Sequence, residues 1–185
     1  MERIWVWLSR CRRIRGFGVQ SPWAYQFIRY VINERYPYYA YKQFSTLEAV
    51  RNPYRKKMGG LYFRLANYRQ PDMVWESSSS DSYAEYFRLG CQRAVVMTGD
   101  EALPDQFQLV RMSSTEHQAF YESVCQQADE RTILVIEGIA KNEGQKRLWE
   151  DVQHDERTGV TFDLYYCGIV FFDKSRYKHH YVVNF

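Results

Sequence analysis

One segment near the middle of the chain, residues 73–87, carries side chains that could hold a ligand. Its sequence, MVWESSSSDSYAEYF, predicts a buried strand ending at Glu76, a polar turn, and a helix capped by Ser79 or Ser80. A strand-end carboxylate and the free N–H groups of a helix converge in the ligand cradle of α/β domains. Such cradles use glycine where a ligand touches the backbone, whereas this turn contains only Ser and Asp. The segment therefore predicts the frame of a cofactor site with an altered lining.

Other side chains form no recognisable catalytic or metal site. The four cysteines include no Cys-x-x-Cys pair, and the four histidines lack metal or triad spacing. The serine run lacks the glycines of a hydrolase nucleophile elbow. No apolar run approaches the ~20 residues of a membrane span, and the first residues lack a signal-peptide core. We therefore expect a cytoplasmic protein with reduced thiols, no metal and no membrane span.

The elements around this segment predict an α/β fold. After the strand at 73–75, the predicted strands are residues 93–99, 108–112 and 132–138, and the predicted helices are 115–128 and 143–154. Unbroken apolar runs such as 132–138 are typical of a parallel sheet covered on both faces. Two long strands, 160–172 and 177–185, flank a polar bend and predict a closing antiparallel hairpin. The expected architecture is an open, mostly parallel sheet with a reversed edge strand.

The charge distribution divides the chain near residue 70. Residues 1–70 contain 14 Lys/Arg and 3 Asp/Glu, whereas residues 71–185 contain 11 and 19. We interpret residues 1–70 as a basic helical extension packed on the core, and residues 71–185 as the α/β domain. The asymmetry indicates either mutual attraction of the two parts or a basic face for an anionic partner. The candidate patch comprises Arg12, Arg13, Arg15, Arg55, Lys56 and Lys57.

The sequence of the basic extension predicts about four helices. Ser21 before a proline marks one helix start, and residues 43–69 suit two helices broken near 52–53 and 59–60. The apolar side chains expected to be buried are Trp5, Leu8, Trp23, Phe27 and Val31.

A tyrosine-rich connector, residues 36–41 (YPYYAY), lies within the extension. Tyrosines among lysines and arginines are typical of a stacking platform for single-stranded nucleic acid. Tyrosines also cover the seam between a helical extension and a domain, with their hydroxyl groups at the wet edge. The local sequence is compatible with both interpretations.

Both ends of the chain resemble known motifs. Residues 16–23, GFGVQSPW, are similar to a motif of the form GHGVHSPF, and residues 168–172 with 180–185 resemble the closing hairpin of the same family. That family consists of bacterial proteins that resemble class I S-adenosylmethionine (SAM)-dependent methyltransferases and carry a helical N-terminal extension. The resemblance spans nearly the whole chain and implies a SAM-methyltransferase-like, Rossmann-like sheet.

The middle of the chain departs from the cofactor-binding motifs of that family. A first-strand loop of the type ELGTSLG implies that Glu76 matches the family's acidic residue, while Ser78 and Ser82 replace glycines. A Cβ at these positions would crowd the methionine end of SAM. The second strand should end in a carboxylate for the ribose, but Asp100 lies two positions late.

Later motifs depart as well. A fourth-strand motif of the type DLVFIDGNH corresponds to residues 108–117, where both aspartates are replaced. The family's fifth-strand motif FDD corresponds to residues 136–138, IEG, which keep one acid, Glu137. One strand-helix unit between the family's second and fourth strands is deleted in this chain. Each lost charged hydrogen-bond partner costs ~1.5–3 kcal/mol. Two or three such losses would weaken SAM binding by about a thousandfold or more.

Three functions remain open. The departures favour a non-catalytic methyltransferase-like protein, a pseudoenzyme without cofactor that binds a protein partner or forms a homo-oligomer. One alternative is an active methyltransferase with an atypical pocket, in which Glu76, Asp100 and Glu137 hold SAM. The other is a nucleic-acid-binding module in which the basic, tyrosine-rich extension binds weakly and with a steep dependence on salt.

Overall fold

The computed structural model of the protein describes residues 18–36, 38–39, 42, 52–99, 103–115 and 118–185. The predictions made for Trp5, Leu8, Arg12, Arg13, Arg15 and Asp100 fall outside these ranges. Within them, no helix combines the length and the apolar character needed to cross a bilayer.

The described elements alternate between helix and strand after residue 70. The helices are α1 (Pro22–Phe27, continued as a π-helical turn over Ile28–Ile32), α2 (Pro53–Arg69), α3 (Ala84–Gly90), α4 (Gln118–Gln127) and α5 (Glu143–His154). The strands are β1 (Met73–Glu76), β2 (Val95–Thr98), β3 (Leu109–Met112), β4 (Ile133–Glu137), β5 (Thr161–Asp163), β6 (Cys167–Phe171) and β7 (His180–Val182).

All of these strands join one sheet in the order β2-β1-β3-β4-β6-β5-β7. The first four in that order run parallel, and β6 pairs antiparallel with both β4 and β5. The predicted fold class is therefore confirmed: the sheet is mostly parallel, with an antiparallel hairpin towards its C-terminal end. Between β2 and β3 the described residues contain no helix or strand, which fits the expected deletion.

The hairpin is formed by different segments from those predicted. The prediction of one strand over 160–172 is wrong, because the chain reverses inside this run between β5 and β6. Asp163 Oδ1 accepts the backbone N–H of Tyr165 at 2.8 Å, and Tyr165 adopts the left-handed region with φ of 69°. Asp side chains favour turns by such local bonds. The last segment, β7, then pairs parallel with β5 at the sheet edge.

The predicted break at residues 59–60 is also wrong, since α2 passes through both glycines. Asn52 caps this helix by accepting the N–H groups of Tyr54 and Arg55. A Cβ built at Gly59 would lie 2.4 Å from the ring of Tyr86, a residue of α3. The glycine serves close packing between α2 and α3 and does not break the helix.

Two apolar layers cover the two faces of the sheet. The first contains side chains from α1, α2 and α3, and the second contains side chains from α4 and α5. Phe27 and Val31 are buried as predicted, whereas Trp23 is half-buried. Phe27 contacts Phe162 of β5 with ring centroids 5.0 Å apart, so α1 packs directly on the sheet. Burial of each such side chain stabilises the fold by ~1.5–3 kcal/mol.

Candidate functional site

Three charged side chains meet at the carboxyl ends of the parallel strands. Glu76 ends β1, Glu137 ends β4, and Arg111 is the third residue of β3, which lies between them. Glu76 is paired directly with Arg111 in the sheet register. Because strand side chains alternate between faces, all three point to the face covered by α2 and α3. Their relative exposures are 0% for Glu76 and Arg111 and 4% for Glu137.

The guanidinium group of Arg111 binds three carboxylates. Its Nε donates to Glu137 Oε1 at 2.9 Å and its Nη2 to Glu137 Oε2 at 3.3 Å, which makes this contact bidentate. Nη2 also donates to Asp81 Oδ2 at 2.7 Å, and Nη1 lies 3.5 Å from Glu76 Oε1. We call Glu76, Asp81, Arg111 and Glu137 the Arg111 cluster.

Two tyrosines and a second arginine close this cluster. The Tyr62 hydroxyl, on α2, donates to Glu137 Oε1 at 2.5 Å. The Tyr83 ring centroid lies 4.7 Å from the guanidinium carbon of Arg111 and 4.6 Å from that of Arg55. Arg55 also donates to the backbone carbonyls of residues 81 and 82 at 3.1 and 2.5 Å. The N-terminal end of α2 is thereby fixed over the turn after β1.

The turn after β1 uses the remaining acceptor atoms of Glu76. Ser82 Oγ donates to Glu76 Oε2 at 2.5 Å, and the backbone N–H of Tyr83 donates to Oε1 at 2.8 Å. Ser82 Oγ in turn accepts the N–H of Ala84 at 3.0 Å, so the predicted cap at Ser79 or Ser80 is wrong. Both carboxylate oxygens of Glu76, the residue that matches the family motif, therefore accept hydrogen bonds from groups of the same chain.

The backbone segments that follow β1 and β2 lie close together. A Cβ built at Gly99, just after β2, would lie 2.3 Å from the carbonyl oxygen of Ser77. Ser77 is held from the other side, because its Oγ accepts the N–H of Ser113 at 2.8 Å. Ser78 lies further along the turn, with its Oγ 3.1 Å from that of Ser80. The backbone of Ser77 therefore lies against Gly99, and a side chain at position 99 would overlap it.

The electrostatics of the cluster follow from burial. Burial raises the pKa of Glu76, although hydrogen bonds from Ser82 and Tyr83 and the charge of Arg111 oppose the shift. Burial alone would also raise the pKa of Asp81, but the Arg111 hydrogen bond and charge hold it below its usual value. Burial and the charge of Glu137 raise the pKa of Tyr62 well above its usual value. At neutral pH the tyrosine is therefore a hydrogen-bond donor and not a base.

The residues of this site differ from those that the family motif requires for SAM. The pocket that the family motif implies would need a free strand-end carboxylate and an approachable backbone in the first turn. Glu76 is saturated by Ser82, Tyr83 and Arg111, and the turn backbone is in contact with Gly99. Glu137 is likewise occupied by Arg111 and Tyr62. The cluster places an internal cation at the strand ends where the family would hold its cofactor.

Metal-ligating side chains do not cluster in the described part of the chain. It contains no group of three or more His, Cys, Asp or Glu side chains arranged for a metal ion. Its cysteines, Cys91, Cys125 and Cys167, are free thiols. Burial raises the pKa of Cys167 well above its usual value, which keeps this thiol protonated.

The predicted patch at residues 55–57 is divided among different roles. Arg55 is half-buried and bound to the turn after β1, and Lys57 donates to the backbone oxygen of Phe185 at 2.6 Å. The Lys57 ammonium group also lies 4.5 Å from the Phe185 ring and 4.7 Å from that of Tyr166. Lys56 is exposed.

Sequence reasoning did not identify the central members of the cluster, which are Arg111, Tyr62, Asp81 and Tyr83. One signal was present: an arginine inside a predicted buried strand needs a partner, because buried charges are costly unless paired. Glu76 and Glu137 end the neighbouring strands, but their adjacency to Arg111 follows only from the strand order.

Comparisons with known proteins identify no family. No protein-family model matches the sequence. No curated protein matches it either. Among solved structures, a crystal structure of a methyltransferase from Geobacter sulfurreducens matches with 13% identity and a TM-score of 0.48, covering 94% of this chain and 98% of that one. The strand order of the sheet, and not this distant likeness, defines the fold class.

Proposed function

We propose that this protein is a non-catalytic binding or scaffold protein built on a methyltransferase-like sheet. The observation that carries the proposal is the buried guanidinium of Arg111, bound to carboxylates from two strand ends and the intervening turn. A side chain of the chain itself takes the place and the hydrogen bonds that a cofactor would need. A protein partner or a second copy of the chain is the binding partner that this proposal implies.

The chemistry of the site supports the same conclusion. Methyl transfer needs a bound donor and a substrate positioned against it. The carboxylates of Glu76 and Glu137 are engaged by Arg111, and Tyr62 stays protonated because burial raises its pKa. Removal of Arg111 from these contacts would leave buried carboxylates without a counterion, which is unfavourable. Opening the site for a ligand therefore opposes the stability of the fold.

Isothermal titration calorimetry of the full chain with SAM and with S-adenosylhomocysteine tests the proposal. We expect no binding in the micromolar range for either ligand, because two or three lost polar partners weaken affinity by about a thousandfold. Glu76→Gln serves as the site variant, and Glu150→Gln, an exposed carboxylate on α5, serves as its matched control.

One result would overturn the proposal. Low-micromolar binding by the wild type that is lost in Glu76→Gln and retained in Glu150→Gln would establish a working cofactor site. Circular dichroism of both variants must show a native fold, so that loss of binding reports on the site and not on unfolding.

A further inference from the structure

An open groove lined by aromatic rings lies between α1 and α2. It has a volume of about 230 Å3 and is separate from the Arg111 cluster. We call it the aromatic groove and define it by Trp23, Tyr30, Tyr38 and Tyr68, with the amide side chains of Gln26 and Asn67 also lining it. Trp23 stacks on Phe27 and lies under the Arg176 guanidinium, so the rings of Tyr30 and Tyr68, beside the amide groups, are those that offer stacking to a flat polar ligand.

The groove is built on a firm floor. Phe27 and Val31 lie beneath it and are 2% and 5% exposed. The indole Nε1 of Trp23 donates to the Tyr68 hydroxyl at 3.2 Å, which joins α1 to α2 across the groove. Tyr30 stands on the π-helical turn of α1, and such turns occur frequently at functional sites.

Its upper rings are exposed, unlike those of the core. Tyr30 is 56% exposed and Tyr68 is 42% exposed. The adjoining connector tyrosines, Tyr36 and Tyr39, are 64% and 89% exposed. Placing so much aromatic surface in water is costly unless a partner covers it.

Two arginines lie beside these rings. The Arg29 guanidinium lies 5.8 Å from the Tyr30 ring centroid, and that of Arg176 lies 4.4 Å from the Trp23 ring. Arg176 is also paired with Asp173, with Nε and Oδ2 3.1 Å apart. The sequence of α2 contains no Asp or Glu, so the wall that carries Tyr68 has no carboxylate of its own.

We propose that the aromatic groove binds an unpaired base of single-stranded nucleic acid, with Arg29 and Arg176 near the flanking phosphates. Stacking of bases on aromatic side chains within a basic surface is the common mode of single-strand binding. A paired base cannot enter, because both its faces are covered in the duplex. The inference goes beyond the proposed function and does not depend on the Arg111 cluster.

Fluorescence anisotropy with labelled oligonucleotides of about 12 bases tests the proposal. RNA and DNA single strands and the matching duplex form separate arms at about 50 and 150 mM salt. We expect single strands to bind more tightly than the duplex, and we expect affinity to fall several-fold at the higher salt. The RNA and DNA arms decide which strand is preferred.

Two pairs of variants separate the groove from general effects. Tyr30→Ala should weaken single-strand binding about tenfold, whereas Tyr165→Ala, which removes a half-buried tyrosine of the turn between β5 and β6 that does not line the groove, should not. Arg29→Glu should weaken binding several-fold, whereas Arg147→Glu, on the exposed face of α5, should not.

Three results would overturn the proposal: no binding at low salt, equal binding of duplex and single strand, or unchanged binding by Tyr30→Ala. An unrelated peptide that displaces the oligonucleotide from this groove, together with equal affinities for single strand and duplex, would also contradict it. None of these results bears on the absence of SAM binding, so the two proposals fail independently.

Discussion

Replacement of Arg111 by methionine tests the central electrostatic argument. Methionine keeps much of the length of the side chain and removes its charge, which leaves Glu76 and Glu137 buried without a counterion. Breaking a buried ion pair by removal of one partner costs ~3–5 kcal/mol. For a chain of this size each kcal/mol lowers Tm by about 2–4 °C, so we expect a fall of roughly 6–20 °C.

The deficit should depend on pH in a defined direction. Arg111 lowers the pKa of Asp81 and opposes the burial that raises the pKa of Glu76. Without it, the folded-state pKa of Glu76 rises further above that of the unfolded chain, and Asp81 loses the hydrogen bond and the charge that oppose its burial. A protonated carboxyl with a raised folded-state pKa contributes stability below its unfolded pKa, and this contribution is lost as the pH rises through its folded pKa. The variant should therefore be closer to wild type near pH 5 than near pH 8.

Urea unfolding followed by circular dichroism at both pH values measures these differences. Arg157→Met is the matched control: this arginine also binds two carboxylates, but its side chain is 41% exposed, so its loss should cost less than ~1 kcal/mol. The double variant Arg111→Met with Glu137→Gln should recover part of the stability, because a buried charge is removed with its partner. Equal stability of wild type and Arg111→Met, or a deficit independent of pH, would refute the reasoning.

Two further predictions concern other parts of the fold. Gly59→Ala should destabilise the protein by ~1–3 kcal/mol, because its Cβ would overlap the Tyr86 ring. Gly60→Ala should cost less, because the nearest neighbour of its Cβ would be the flexible end of the Arg64 side chain. The urea midpoints of both variants measure the difference. Hydrogen bonds from Arg157 hold the pKa of Asp155 below its usual value, so this carboxyl contributes stability above about pH 4 and loses it as the pH falls. Asp155→Asn should therefore be less stable than wild type at pH 6, and the difference should begin to narrow only as the pH falls below about 4, as thermal unfolding over a pH series would show; a difference that does not change with pH would contradict this.

The fold could be predicted because periodicity and apolar runs carry it. The run at 132–138 became β4, and the helix predicted at 143–154 has those bounds in the structure. The hairpin was predicted on different segments because Asp163 lies within an apolar run, where its turn-forming bond to Tyr165 outweighs strand propensity. The glycines at 59–60 were predicted to break the helix, because the sequence alone does not distinguish a glycine that ends a helix from one that allows close packing against Tyr86.

The site could be predicted only in part. Glu76 and Glu137 were identified from strand ends, and both lie in the Arg111 cluster. Arg111 was noted only as part of a strand that had lost its aspartates. Its role depends on the register of three strands and on the Tyr62 and Tyr83 rings above it, which are long-range contacts. Motif comparison treats each lost residue separately and does not reveal that one substitution, Arg111, binds both strand-end carboxylates.

The basic side chains of the extension bear on the two readings of its charge. Part of this charge faces the α/β domain, because Arg55 donates to the backbone carbonyls of Asp81 and Ser82 and its charge interacts with the Asp81 carboxylate. Arg64 donates to the backbone carbonyl of Val31 at 2.6 Å, and a peptide carbonyl carries no net charge that could neutralise it. The helix α2 contains five Lys and Arg residues and no Asp or Glu, so its own contribution to the electrostatic potential is positive. A positive potential beside exposed tyrosines favours an anionic, aromatic partner over an acidic protein surface, because only the former uses both the charge and the rings.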